Sequence, residues 1–343
     1  MLNNKKKLLS KIKFRCHSLG SIVGGMYSKY EKDLKHLKLL NTMEFGIQLT
    51  SLQCKAFKKI KEKSFNNLAK TEQALLDTYH KKLQEKKELE DKINNFNYEF
   101  SEGAISKLNE IYYEEVFGIK PLVTTKSITR GIDQEDDSID ILSKVLNIEI
   151  SKNTQRFTNE YITGEPDLIY KNSIIDVKTC ESYESFDAKT EKSAFFYFWQ
   201  LYGYQILTNK YVKYIAYLLP SYKENVIKKI ILYHFNKIVS FEHANYYYDA
   251  FSQFSLQKVI QDEVEIRTDK KIQIVNLYNI YNQEMKNHNY DRIPFSYRVK
   301  LYEVKDLRNI DYRIVYKILD KARAYLVSKL MSNQPLNISN LSF

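Results

Sequence analysis

Residues 161–170 and 173–180 are two runs rich in β-branched and aromatic side chains, and only Lys171-Asn172 separates them. So short a link favours antiparallel pairing, and the stretch reads as a β-hairpin. Alternation along the second strand then sets which side chains share a face. Asp176 and Lys178 point one way and Val177 the other, into a core. Asp167 precedes Asp176 by nine positions, within Gly164-Glu165-Pro166-Asp167. On adjacent strands the two carboxylates can converge with the lysine at one end of the sheet.

The flanking segments alternate in type. Residues 127–146 read as an amphipathic helix with Ile132, Ile139, Leu142, Val145 and Leu146 as its apolar stripe. Residues 194–208 are aromatic-rich and read as a buried helix, and 210–219 and 226–235 have the alternation of strands. Beyond them 241–256, 270–285 and 307–330 read as helices, with a short strand near 297–304. This order predicts an α/β (α+β) core, a mixed sheet flanked by helices.

The segment 30–100 differs, being rich in Lys, Glu and Leu and free of proline. Its propensity is helical, and a break at Ser64-Phe65-Asn66-Asn67 suggests two helices. A solvated helical hairpin inserted in the fold is the favoured reading; an oligomer seam or a DNA-facing arm are the alternatives.

Composition narrows the function classes. In 343 residues, 43% hydrophobic content supports a real core, and five prolines and nine glycines leave few linkers, so one continuous body is expected. The net charge of +11 favours a polyanionic partner. Cys16, Cys54 and Cys180 lack the spacing of a disulfide framework, zinc ribbon or iron–sulfur cluster. The basic start lacks the apolar core of a signal peptide, and no run reaches the roughly 20 apolar residues of a membrane span. A cytoplasmic protein without a membrane partner is expected.

Two carboxylates and an ammonium on one small surface are costly unless something uses them, and a hard divalent cation does. Such a cation, with the carboxylates and Lys178, suits phosphodiester hydrolysis, where a nucleophile must approach an anionic centre. A bare hairpin with exposed charges is the alternative. Upstream, Glu135 follows Gly131 by four positions and offers a third acid, although Asp133, Asp136 and Asp137 beside it also fit a charged helix face. Downstream, Gln200 and Tyr204 stand at i and i+4, on one face of a helix.

Taken together these residues resemble the PD-(D/E)xK nuclease superfamily, in particular its YqaJ-type viral recombinase, lambda exonuclease-like branch. Gly131-xxx-Glu135, Pro166-Asp167, Asp176-Val177-Lys178 and Gln200-xxx-Tyr204 match, in order, the helix acid, the Asp, the D/E-x-K and the Gln-xxx-Tyr of related RecB-type enzymes. Softer matches lie at both ends. Phe14-Arg15-Cys16-His17-Ser18-Leu19-Gly20 resembles an early phosphate-holding element, with His17 departing from its usual Ser, and Ile293-Pro294 with Arg298-Val299 resembles the family's tail.

The resemblance implies a restriction-endonuclease-like sheet and a Mg²⁺-dependent enzyme, with Mn²⁺ as substitute, that degrades linear double-stranded DNA, typically 5′→3′. It implies that Glu135, Asp167, Asp176 and the Val177 carbonyl ligate metal, that Lys178 is catalytic, that Gln200 and Tyr204 support the site, and that Arg15 and Ser18 bind DNA. A single-strand annealing partner and a homo-oligomer also belong to the family pattern; the Lys-rich segment departs from its compact members. In domain terms this gives 1–29 as the first part of a nuclease domain, 30–100 as the insertion, 101–240 as the nuclease core and 241–343 as a helical region packed on it. An endonuclease on the same hairpin, or a non-catalytic DNA-binding protein on a nuclease scaffold, are the competing readings.

Overall fold

The structure, a computed structural model, describes residues 2–62, 68–119, 126–210, 212–223, 264–268, 271–275, 283, 285–304 and 310–332. By internal packing the chain divides into two units, Met1–Lys120 with Ile310–Phe343, and Pro121–Asn309. The first unit opens with α1 (Leu2–Leu9), β1 (Phe14–Arg15), α2 (Leu19–Thr42), α3 (Ser51–Glu62), α4 (Lys70–Asn94) and α5 (Glu102–Phe117). The second begins with α6 (Lys126–Asp133), α7 (Glu135–Leu146), β2 (Phe157–Thr158), β3 (Ile162–Gly164), β4 (Leu168–Tyr170) and β5 (Ser173–Thr179). It continues through α8 (Tyr183–Asp187), α9 (Glu191–Phe195), α10 (Phe198–Thr208), β6 (Val212–Leu218), β7 (Val264–Thr268), β8 (Lys271–Val275) and β9 (Val299–Glu303). The chain returns to the first unit with α11 (Tyr312–Ser332).

In the helical unit, α2 buries Leu19, Ile22, Val23, Met26 and Tyr27, the i, i+3, i+4, i+7, i+8 stripe of a helix with one apolar face. That helix packs on α4, α5 and α11, and α11 buries Ile314, Val315, Ile318, Leu319, Ala322 and Leu326. Three helices rather than two occupy the Lys-rich segment, since α2 runs into it as far as Thr42 and is followed by α3 and α4; the expected break at 64–67 lies outside the described residues. They share a small aromatic cluster in which Phe57 lies 4.3 Å from the Tyr79 ring and 5.2 Å from Phe45. Leu76 is the buried residue of α4, so most of that helix is a solvated surface.

The other unit is built on a mixed sheet in the order β4-β5-β6-β9. Antiparallel pairing sets Leu168 against Ile175 and Tyr170 against Ser173, and Lys171 in the turn takes φ 51°. Next, β5 and β6 run parallel, with α8–α10 making the return that parallel strands need, and β9 closes the sheet antiparallel to β6. On one face Ile139, Ile141 and Leu142 of α7 pack against Leu168, Ile175, Val177, Ala216 and Leu218. The mixed sheet flanked by helices is as the sequence predicts.

Several local expectations are corrected. The strand over 161–170 is broken at Glu165-Pro166-Asp167: β3 pairs with β2, while β4 pairs with β5. Pro166 lacks the N–H that a continuous ladder would need there. The helix over 127–146 divides at Gln134, whose φ −119° and ψ 14° are not helical. Ile132 therefore leaves the stripe and is 71% exposed, while Ile141 joins the core. The 194–208 helix likewise divides, into α9 and α10.

Part of the helix expected over 270–285 is strand instead. β8 pairs antiparallel with β7, from Val264 against Val275 to Thr268 against Lys271. Lys271-Ile272-Gln273-Ile274-Val275 alternates with period two, which the helical reading overlooked. The strand at 226–235 and the helix at 241–256 fall outside the described residues. At the end, β9 and α11 match expectation, with α11 starting at Tyr312, next to an Asp311 carboxylate that accepts the Arg313 N–H at 2.9 Å.

Candidate active site

Period two along β5 decides the site. Ile175 and Val177 go to the α7 core, which turns Asp176 and Lys178 to the opposite face, toward α10. Asp176 is wholly buried, with its Oδ2 2.6 Å from Lys178 Nζ and its Oδ1 accepting from Gln200 Nε2 at 2.8 Å. Gln200 also donates to the Tyr204 hydroxyl, at 3.0 Å, so the i, i+4 pair on α10 forms one brace behind the carboxylate.

Asp167 enters from the interruption between β3 and β4. Its Oδ2 accepts the Val177 N–H at 2.6 Å, and its own carbonyl accepts the Asn153 N–H at 2.8 Å. Asn153 Nδ2 holds the Pro166 carbonyl at 2.9 Å. The break that ends one strand is thus what aims this acid at the next.

Burial pushes Asp167 well above the usual carboxylate range, and the neighbouring Asp176 charge pushes the same way; Lys178 and the Val177 N–H oppose them, and Glu135 adds a smaller push upward. For Lys178, burial works against the charge but is outweighed by Asp176 and Asp167, which raise its pKa. The lysine therefore stays an ammonium. Its Nζ also lies 4.7 Å from the centre of the Tyr197 ring, a cation–π contact.

Glu135 is the first residue of α7, where the helix dipole favours an acid. It lines the same cavity as Asp167 and Lys178 and is paired with Lys152 Nζ at 2.8 Å. The cavity has a volume of about 500 Å³, and Ile132, Tyr197 and Tyr217 complete much of its wall. The structure therefore gathers Asp167, Asp176, Lys178, Gln200 and Tyr204, with Glu135 lining the same cavity as Asp167 and Lys178. Among the described residues, no three His, Cys, Asp or Glu side chains stand close enough together to form a ready ligand cluster.

Arg15 and Ser18 belong to the helical unit. The Arg15 guanidinium binds Glu114 Oε1 at 2.7 Å, and Ser18 is buried.

Sequence reasoning missed four contributors. Tyr197 precedes Gln200 by three positions, so helical spacing was an available signal. Lys152 and Tyr217 carried none, and Arg130 only its i, i+4 spacing to Gln134. Arg130 is buried beside the cavity-lining Gly131: its Nε donates to Gln134 at 2.6 Å and its guanidinium to the carbonyls of Glu181 and Pro220, and it stacks 3.8 Å from the Tyr222 ring centre. It ties α6 to the ends of β5 and β6. Burial lowers its pKa.

Among the described residues no helix is long and apolar enough to cross a membrane. No protein-family model and no curated protein matches the chain. Among solved structures it is similar to a phage related exonuclease from Haemophilus somnus 129PT, at 16% identity over 94% of this chain and 96% of that one, with a TM-score of 0.46. It is also similar to the alkaline exonuclease LHK-Exo from Laribacter hongkongensis, at 9% identity over 68% and 81% of the two chains, with a TM-score of 0.35.

Proposed function

We propose that this protein is a metal-dependent deoxyribonuclease of the PD-(D/E)xK superfamily, YqaJ-type, acting on the ends of linear duplex DNA. The observation that carries the reading is the set of a wholly buried Asp176 with half-buried Lys178 and Asp167, braced by Gln200 and Tyr204, in which Asp167 and Lys178 line a cavity. A wholly buried carboxylate beside a second one held above its normal pKa is a costly arrangement for a purely structural role.

The donor set fits a hard divalent cation. The side chains offered are carboxylates, and Mg²⁺ commonly takes one or two of these with water and substrate phosphate completing its shell. Asp167 and Asp176 would hold it, with the Val177 carbonyl and Glu135 as further oxygen donors. Glu135 would have to exchange its present partner, Lys152. A bound Mg²⁺, or Mn²⁺ in its place, supplies charge to the phosphate and lowers the pKa of a coordinated water.

The chain's own groups do the positioning. Asp176 fixes the Lys178 ammonium, and the Tyr197 face confines it. Lys178 then orients the attacking water or offsets charge that builds on the phosphate. Gln200, anchored by Tyr204, keeps Asp176 from rotating. The net charge of +11 suits a polyanionic strand; of the further phosphate-binding candidates, Arg15 would have to exchange Glu114 and Ser18 would have to be uncovered.

Digestion of linear and covalently closed circular duplex in Mg²⁺ tests the reading. Loss of the linear form with survival of the circle supports an end-dependent enzyme. Cutting of both points to an endonuclease, and binding that EDTA leaves unchanged, without cleavage of either, points to a non-catalytic scaffold. Strand polarity, expected 5′→3′, follows from the same digestion with label at either end.

A further inference from the structure

The cavity has a second cationic element that the reaction described above does not use. Lys189 lies between α8 and α9 and lines the cavity beside Tyr217 and Ser185. Its backbone is clamped to β9, since its carbonyl accepts from the Tyr302 hydroxyl at 2.9 Å and from Lys300 Nζ at 3.3 Å. Lys300 Nζ also donates to the Asp187 carbonyl at 2.7 Å, which secures the same turn. The ammonium rests 5.6 Å from the centre of the Tyr217 ring.

Two lysines thus face one cavity in different electrostatic states. Lys178 is neutralised locally by Asp176 at 2.6 Å. Lys189 has no carboxylate within ion-pair distance among the described residues, so its charge stays available to a ligand. Its field is felt inside the wall: burial pushes the Cys180 thiol up to about 11, and Lys189 is foremost among the charges that pull it back. The volume of about 500 Å³ lies within the roughly 300–1,000 Å³ typical of small-molecule ligand sites. A strand placed with one phosphate at Asp167 and Asp176 brings its neighbouring phosphate with it.

We propose that Lys189 binds the backbone phosphate next to the one being cut and so holds the strand in register at the acid site. The proposal rests on the nuclease reading above. A lysine suits the task because it acts as a point charge and needs no planar partner.

The test uses full-length wild type, Lys189→Ala and Lys189→Arg with short duplexes in which the phosphates near one end are replaced, one at a time, by neutral methylphosphonates. Affinity is read by fluorescence anisotropy in Ca²⁺ and turnover in Mg²⁺. In wild type, one replacement should weaken binding about fivefold at 0.15 M salt, and Lys189→Ala should lose that position's sensitivity together with about one unit of salt slope. Lys189→Arg should restore both. If wild type cleaves DNA and Lys189→Ala matches it at every position, the proposal is overturned while the nuclease reading stands. A fall in turnover with affinity and salt slope intact also overturns it, because Lys189 would then act on the reacting atoms. If wild type binds no DNA, or binds it without any cleavage, the nuclease reading itself fails and the assignment falls with it.

Discussion

The two units each hold a lysine–carboxylate pair of the same length in opposite surroundings. Lys58 and Glu44 of the helical unit meet at 2.6 Å with side chains 56% and 52% exposed. Lys178 and Asp176 of the sheet unit meet at the same 2.6 Å, with the carboxylate wholly buried. In water the first pair gains little, because solvent screens it and two flexible chains must be ordered to make it. In the second pair the carboxylate has given up its hydration and depends on Lys178 and on Gln200. Equal distances therefore say little about role. What singles out the sheet pair is that a buried charge is kept beside another acid at the edge of a cavity.

Breaking the buried pair should give the largest change in stability. Lys178→Met keeps the volume but leaves Asp176 buried without its counter-charge, and a loss of about 3–5 kcal/mol in urea unfolding is expected. A loss below about 1 kcal/mol would place the two pairs in the same class.

Asp167 sharpens the comparison in the other direction. Its pKa is raised in the folded protein, so the folded state holds the proton more tightly than the unfolded one. The stabilising contribution is complete below the ordinary carboxylate pKa and is lost as pH rises through the raised value. Metal-free protein at neutral pH should thus gain from Asp167→Asn, with Tm rising by about 2–4 °C for each kcal/mol relieved in a unit of this size. Mg²⁺ should raise the Tm of wild type and leave that of Asp167→Asn nearly unchanged. Metal-free destabilisation by the same substitution would mean that the carboxylate serves the fold.

The smallest effect belongs to the exposed pair. Lys58→Ala should leave Tm within about 1 °C of wild type in thermal unfolding, because solvated pairs of this kind contribute little.

What could be read in advance followed periodicity. The β5 alternation places Asp176 and Lys178 on one face, and the i, i+4 spacing places Gln200 beside Tyr204. Both are local patterns that repeat over a few residues. The strand break at Pro166, the helix break at Gln134 and the exposure of Ile132 were missed because a hydrophobic pattern does not register one non-helical or unpaired residue. The strand at Lys271–Val275 was missed because a long helical window absorbed its short alternation. Lys152 and Lys189 had no sequence signature at all, and Arg130 had only its i, i+4 spacing to Gln134. Their other partners are distant along the chain or are backbone carbonyls and rings, and only tertiary packing names them.

The most direct measurement is digestion of end-labelled linear duplex by wild type and by Asp176→Ala, with Mg²⁺ and with EDTA, beside an anisotropy measurement of binding. An acid pair that serves phosphodiester hydrolysis predicts Mg²⁺-dependent release of nucleotides by wild type, a fall of about a thousandfold or more in Asp176→Ala, and DNA affinity retained in the variant. Equal digestion by the two proteins, or digestion that EDTA leaves untouched, would contradict it.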